Sequence, residues 1–270
     1  MACISVTMDK KKTILITGAG GQLGQTLALK SQDQSDYNWI FLDKEKLDIT
    51  VAEKVARIFS ETRPDFCIHC AAYTNVNDAE KQFELAYKIN VEGLKNIAEA
   101  CNFHNTTLIH FSTDYVFDGK KAQPYTEKDV PNPLNIYGKT KLDSEKFLLQ
   151  NNQKAYVIRT SWLYSKTHGK NFYRTILSKL KTGEAIEVVD DQIGSPTSTT
   201  QVIDFLVELL AKNPPFGIYH CAGKEILSWF SFALSIANEH QIQPKIKAVK
   251  TPPNGISRPK YSALKSIKPF

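Results

Sequence analysis

The stretch ILITGAGGQLG, residues 14–24, decides the fold. An apolar run breaks at Gly18, and glycine returns at 21 and 24 while apolar residues take up helical spacing. Glycine at such a turn lets backbone amides approach an anion without Cβ obstruction. The helix that follows adds unpaired N–H groups and the positive end of its dipole. A glycine pattern alone also fits a tight turn, but strand, turn and helix in sequence identify a pyrophosphate cradle. Gly18, Gly21, Gln22, Leu23 and Gly24 are therefore expected to hold a dinucleotide.

Outward from this turn, short apolar runs alternate with helical patterns. TILIT, WIFLD, FCIHC, TLIHFS and AYVIRTS read as strands. GQLGQTLALK, VAEKVARIFSET, KQFELAYKINVEGLKNIAEACNF and YGKTKLDSEKFLLQ between them read as helical patterns, each with apolar residues at three-to-four spacing. Such alternation predicts an α/β, Rossmann-type doubly wound parallel sheet with right-handed crossovers. In these sheets ligands bind outside the carboxyl ends of the strands. After about residue 165 the pattern loosens into helix candidates at NFYRTILSKLK, QVIDFLVELL and SWFSFALSIANEH, a strand at GIYHCA and Pro-rich irregular segments. The expected division is a dinucleotide-binding domain of residues 11–164 with about 194–222. A smaller, partly interleaved substrate domain takes about 165–193 and 223–270, and residues 1–10 form a disordered extension.

The 270 residues are 42% hydrophobic and 23% charged, an ordinary globular balance. No apolar run approaches the roughly 18 residues that a membrane span needs. The opening MACISVTMDKKK lacks a signal-peptide core, so a cytoplasmic location is expected. The net charge of +6 is spread out, with a bias toward Lys245, Lys247, Lys250, Arg258, Lys260, Lys265 and Lys268. That bias reads as a solvated face or as attraction for an anionic substrate. It does not read as a nucleic-acid stripe with interleaved aromatics. Cys67 and Cys70 form a C-x-x-C, but in a strand residues three apart point to opposite faces, and no second half of a zinc site follows. No metal is expected, and the thiols are read as reduced and mostly buried.

Further cofactor contacts follow from the strand ends. Asp43, closing WIFLD, is placed to accept hydrogen bonds from adenosine ribose hydroxyls, which favours NADH. Lys44 and Lys46 follow it and could neutralise a 2′-phosphate, so NADPH stays open. Asp48 and Ile49 are expected near the adenine, and Ala71, Ala72 and Tyr73 along the cofactor.

In HFSTDYVFDG, residues 110–119, an apolar strand ends in two hydroxyls, a carboxylate and a phenol. NIYGKTK places Tyr137 and Lys141 four apart, on one face of a helical pattern. One positive charge about 5 Å from a phenol, at an effective dielectric near 20, favours phenolate by roughly 3 kcal/mol, or about two pKa units. Y-x-x-x-K alone is common on surface helices. With the cradle and a strand ending in Thr113, it becomes specific.

These three elements resemble the extended short-chain dehydrogenase/reductase superfamily, and more narrowly its dTDP-4-dehydrorhamnose reductase family. GAGGQLG, RPDFCIHCAAYTNVNDAE, INVEGLKNIAEAC, FSTDYVFDG, PLNIYGKTKLDSE, RTSWLYS and DDQIGSPT carry the likeness over about residues 12 to 200. The resemblance implies NADH or NADPH as cofactor and Thr113, Tyr137 and Lys141 as the catalytic set. Tyr137 would protonate the C4 oxygen of a dTDP-linked ketosugar while the nicotinamide delivers hydride to C4, and Lys141 would hold the nicotinamide ribose. Thr113 would hydrogen-bond the same oxygen. Asp114 and Tyr115 would position the sugar, and Trp162 would cover it or pack as a core aromatic. Asn90 has a proton relay or helix anchoring as its two readings, with anchoring favoured. Related 4,6-dehydratases carry an Asp-Glu pair after the matching threonine. Here Tyr115 follows Asp114, which fits simple reduction.

Near the end, ISRPKYS keeps an Arg-Pro-Lys-x-Ser pattern that relatives place by the sugar-nucleotide cleft, which implicates Arg258. The chain then stops short of a last helix that such reductases usually have, so a trimmed substrate domain is expected. Some relatives use Mg²⁺ at a dimer contact, but no residue here carries that over; a homodimer is compatible with the resemblance. The competing readings are an epimerase or a reductase of another nucleotide sugar, and a non-catalytic regulatory subunit like that of methionine adenosyltransferase.

Overall fold

A computed structural model describes residues 11–268, so the expected extension at 1–10 lies outside the described residues. The first apolar run is β1 (Lys12–Thr17), buried from Thr13 onward, and the glycine turn feeds α1 (Gln22–Lys30). Next come β2 (Tyr37–Leu42), α2 (Ala52–Thr62) and β3 (Phe66–His69). Two short helices, α3 (Val76–Ala79) and α4 (Phe83–Tyr87), precede a π turn at Lys88–Glu92 and then α5 (Gly93–His104). β4 (Thr107–Thr113), α6 (Ile136–Asn151) and β5 (Ala155–Thr160) follow. Beyond them lie β6 (Leu163–Tyr164), α7 (Phe172–Lys181), β7 (Ile186–Val189), β8 (Ile193–Gly194) and β9 (Thr197–Ser198). The last elements are α8 (Thr199–Lys212), β10 (Gly217–His220), β11 (Leu227–Ser228), α9 (Trp229–Glu239) and β12 (Ile246–Val249).

Six strands form one parallel sheet in the order β10-β5-β4-β3-β1-β2. The strands read as near-continuous apolar runs because helices cover both faces. One face packs Leu15, Cys67 and Leu108 against Val55, Phe59, Leu94 and Ile97 of α2 and α5. The other packs Ile14, Ile16, Ile68 and Ile109 against Leu23 and Leu27 of α1 and Val202 and Leu206 of α8. Cys70 packs on this second face, so the two C-x-x-C sulfurs serve opposite cores. β2 lies on one side of β1 and β3 on the other. The chain therefore switches direction at β1, and a crevice opens beyond the carboxyl ends of β1 and β3.

The helix expected across the KQFELAYKINVEG segment carries a π turn at Lys88–Glu92 and continues through it. Within that turn the carbonyl of Asn90 accepts the Ser144 hydroxyl at 2.7 Å. One expectation differs from the structure: the tail expected to be irregular contains β12, which pairs in parallel with β7. Its four residues alternate too weakly to read as a strand. A third apolar cluster joins Tyr173, Ile176 and Leu180 of α7, Ile186 and Val188 of β7, and Phe232, Ala233 and Ile236 of α9.

Candidate active site

The glycine turn is shaped by the strand beside it. Gly18 has φ +65°, and a Cβ there would lie 2.5 Å from the Ala71 nitrogen just past β3. Only glycine lets the turn pass so close to that backbone. The turn borders a cleft of about 590 Å³. Gly21, Gln22, Leu23, Gly24, Ala72, Thr113, Asp114, Tyr115, Tyr137, Lys141 and Trp162 all line it, so most of the sequence-derived site converges on one space.

The reactive trio sits on rigid elements. Thr113 ends β4, while Tyr137 and Lys141 lie on the first turns of α6, whose N-cap Asn135 accepts the Gly138 N–H at 2.9 Å. Thr113 and Tyr137 line the same cleft. The expected depression of that phenol is not found. Burial dominates and pushes it up to about 12; Thr113 opposes the rise and the charge of Asp114 adds to it. Lys141 is only 2% exposed, and burial pulls its amine down to about 7. Its Nζ lies 3.0 Å from His110 Nε2, directed at β4 and not at the phenol.

Asp114 is held by neighbouring hydroxyls. It lines the cleft, but its carboxylate is 2% exposed and already takes three hydroxyl donors, Thr113 (3.1 Å), Ser161 (3.1 Å) and Ser262. It ties the end of β4 to the residue after β5 and to the C-terminal segment. Burial raises this acid to about 6, against those hydrogen bonds. A raised acid binds its proton more tightly in the folded chain. Its favourable contribution is thus complete below about pH 4 and is lost as pH rises through about 6, an effect on the order of 3 kcal/mol. Asp114→Asn is expected to flatten the stability curve across that window in urea melts at stepped pH. An unchanged slope would assign it elsewhere.

Asn90 anchors. Its side chain accepts the Tyr73 N–H at 2.8 Å and donates to the Tyr73 carbonyl at 3.1 Å and to Thr140 Oγ1 at 3.0 Å. Among the described residues no hydrogen bond joins it directly to Lys141. Trp162 adopts φ +48°, a conformation costing a bulky residue about 1–3 kcal/mol. Its indole stacks on Trp229 at 3.5 Å with 3° between planes and lies flat over Gly194, where a Cβ would come within 2.3 Å of the ring. Trp162 is therefore both packed and cleft-lining.

A family model described as the RmlD substrate binding domain matches residues 12–269. The chain belongs to that family. A dTDP-4-dehydrorhamnose reductase of Aggregatibacter actinomycetemcomitans is 39% identical over 268 residues, which cover 94% of this chain and 91% of that protein. The spore coat polysaccharide biosynthesis protein SpsK of Bacillus subtilis is 39% identical over 253 residues, 93% of this chain and 88% of its own. The crystal structure of a Bacillus anthracis dTDP-4-dehydrorhamnose reductase in complex with NADP matches with a TM-score of 0.91 and 39% identity, covering 95% of this chain and 91% of that one.

In this RmlD-family chain the other expected residues, Asp43, Asp48, Ile49, Ala71, Tyr73 and Arg258, do not line that cleft. Asp43 lines a neighbouring cavity of about 390 Å³ with Gly20, Lys46 and His168, and its carboxylate accepts the Lys46 N–H at 3.0 Å. Asp48 is taken up by Thr50, whose N–H and hydroxyl it accepts, and these bonds hold its carboxyl below the usual range. Ile49 is core, and Tyr73 is held by Asn90. Arg258 lines an adjoining cavity of about 760 Å³ that shares Tyr115 and Trp229 with the cleft; it donates to Asn77 at 2.6 Å and faces the Tyr115 phenol. Burial raises that phenol's pKa and Arg258 opposes the rise.

Sequence reasoning missed the strap at 169–172. Its Asn171 donates to Gln22 Oε1 at 3.1 Å, and Gln22 in turn donates to the Leu163 carbonyl, so the strap is pinned to the glycine turn. Lys170 and Phe172 line the cleft with it. The buried hydroxyls of Ser112 and Thr160 also line the cleft and have no hydrogen-bond partner among the described residues. A polar ligand fits such a wall.

Proposed function

We propose that the protein is an NAD(P)H-dependent oxidoreductase that reduces the C4 ketone of a dTDP-4-dehydro-6-deoxy-sugar. The favoured conversion is dTDP-4-dehydro-L-rhamnose to dTDP-L-rhamnose, a step toward cell-surface polysaccharide. The observation that carries this reading is the convergence of Thr113, Tyr137 and Lys141 on the cleft bordered by the glycine turn. Relatives bearing the reductase name over nine-tenths of the chain support it.

NAD(P)H, when bound, supplies the hydride. The turn from Gly18 to Gly24, open where a Cβ would intrude, suits its pyrophosphate. Asp43 suits ribose hydroxyls, and Lys46 in the same cavity offers charge to a 2′-phosphate, so either cofactor is accepted. Tyr137 keeps its proton at neutral pH because its phenol is held near 12, which stocks it as the acid for the C4 oxygen. Thr113 donates to Asp114 and accepts the Tyr115 N–H at 3.2 Å. When its hydroxyl turns to a substrate oxygen, Asp114 still keeps Ser161 and Ser262 as donors. Lys141 holds the nicotinamide ribose. Trp162 and Tyr115 wall the sugar and, with Arg258 beyond them, define the substrate side.

The organisation that fits this reading joins residues 11–164 and about 194–222 as the cofactor part, since β10 extends the sheet. Residues 165–193 and 223–270 form the substrate part, to which the third apolar cluster belongs. The protein works in the cytoplasm on a dTDP-linked sugar, without nucleic acid or membrane, and a homodimer is its candidate assembly. Among the described residues no helix is long and apolar enough to cross a membrane.

The test is an absorbance assay of NADH and NADPH oxidation with dTDP-4-dehydro-L-rhamnose. Turnover with at least one cofactor is expected. Folded protein that oxidises neither would overturn the assignment.

A further inference from the structure

β3 and β4 pair in register at His69 and His110, whose rings stack at 5.5 Å with 22° between planes. His69 Nδ1 lies 2.7 Å from Thr17 Oγ1 on β1. On the other side, His110 Nε2 lies 3.0 Å from Lys141 Nζ on α6. Thr17, His69, His110 and Lys141 are each at most 2% exposed. A buried column of polar groups thus runs from the strand before the glycine turn to the helix bearing Tyr137. Nothing in the proposed reaction uses the two histidines.

The direction of the bond is set by chemistry. While Lys141 is charged its amine carries only donors, so His110 then accepts at Nε2 and keeps its own proton on Nδ1. That Nδ1 has no hydrogen-bond partner among the described residues, so this tautomer leaves a buried N–H unsatisfied, a cost the fold carries. A protonated imidazole could not accept. Burial, with the charges of Lys141 and His69, keeps His110 far below the usual histidine range, so the acceptor persists at every working pH. This is the single side-chain hydrogen bond found for Lys141 among the described residues, and Lys141 also lines the cleft.

We propose that His110 is a positioning residue for Lys141: its Nε2 lone pair fixes the direction of the amine beneath the cofactor cleft, and the stacked His69, tied to Thr17, holds the imidazole plane. The inference rests on the reading of Lys141 as a cofactor contact. Other groups also bear on the amine. Glu145, one helical turn on, favours its charged form but is itself gripped by Arg159 of β5. Tyr137 lies one turn back, His69 stands behind His110, and Asp114 lies beyond the end of β4.

Glutamine and leucine at position 110 separate acceptor from filler. The terminal amide of Gln reaches about where Nε2 sits, whereas Leu fills the space without an acceptor. In the full chain, NADPH affinity is titrated by fluorescence, the pH profile of kcat/KM is recorded, and melting temperature is the folding control. His110→Gln is expected to stay within about threefold of the parent in Kd, with the same alkaline limb. His110→Leu is expected to weaken NADPH at least tenfold and to move the alkaline limb to lower pH, because the ammonium loses its acceptor. Where the Leu variant melts too low to titrate, His110→Asn replaces it, since its shorter amide reaches only the Nδ1 position. Equal behaviour of Gln and non-acceptor variants would overturn the proposal and leave His110 as packing. Lys141→Met separates the two levels. Unchanged NADPH affinity in that variant overturns the reading of Lys141 itself. Weakened affinity there, with parental affinity in His110→Leu, overturns the role of His110 alone.

Discussion

Tyr137→Phe is expected to lower turnover by about 10²- to 10⁴-fold, the usual weight of a positioned proton donor. That corresponds to about 3–5 kcal/mol of lost transition-state stabilisation. The substitution deletes one hydroxyl and keeps the ring, including its edge-to-face contact with Tyr115 at 6.0 Å, so the fold is expected to survive. NADPH affinity is expected to hold because the glycine turn and Lys141 are untouched. The burial that raises the phenol to about 12 keeps it protonated through the neutral range, so its own titration sets no limb of the profile there. The limb near neutrality belongs instead to Lys141, which loses charge as pH rises through about 7. Steady-state rates and fluorescence titration of the cofactor check both halves. Near-parental turnover would remove Tyr137 as the acid.

What could be read in the chain was whatever is local. Gly18, Gly21 and Gly24 lie within one turn-and-helix unit, and Tyr137 and Lys141 are four apart on one helix, so each set is legible from local spacing once the other elements are read beside it. The sheet followed from apolar runs long enough to outweigh loop noise. The parts that stayed hidden depend on distant partners. The carboxylate of Asp114 accepts from Ser161 and Ser262, 47 and 148 residues away. Gln22 looks like cradle alone, yet Asn171, 149 residues on, pins the strap to it. The Tyr137 phenol was misjudged for another reason. Its charge balance depends on how deeply the cleft buries it and where the Lys141 amine points, and neither leaves a mark in spacing.

Glu145→Ala is expected to cost about 3–5 kcal/mol of folding free energy, because it strands a buried cation. Glu145 and Arg159 form a fork, with Nε to Oε1 at 2.9 Å and Nη2 to Oε2 at 2.6 Å, and the side chains are 1% and 2% exposed. The guanidinium also lies 5.1 Å from the Phe117 ring centroid, and its Nη1 has no partner among the described residues. Among the described residues Glu145 is the one carboxylate in an ion pair with Arg159. At about 2–4 °C per kcal/mol for a chain near this size, the melting temperature is expected to fall by about 10 °C. The pair tethers α6 to β5, and Glu145 stands one turn beyond Lys141. Its charge favours the protonated amine, so its loss should also move the alkaline limb of activity to lower pH. A double variant, Glu145→Met with Arg159→Met, separates the two effects. Well-packed apolar replacements are expected to restore most of the stability. The limb should stay displaced, because the carboxylate that steadied the lysine is still missing. A single variant that melts within about 2 °C of the parent would mean that packing, and not this ion pair, seats α6 on the sheet.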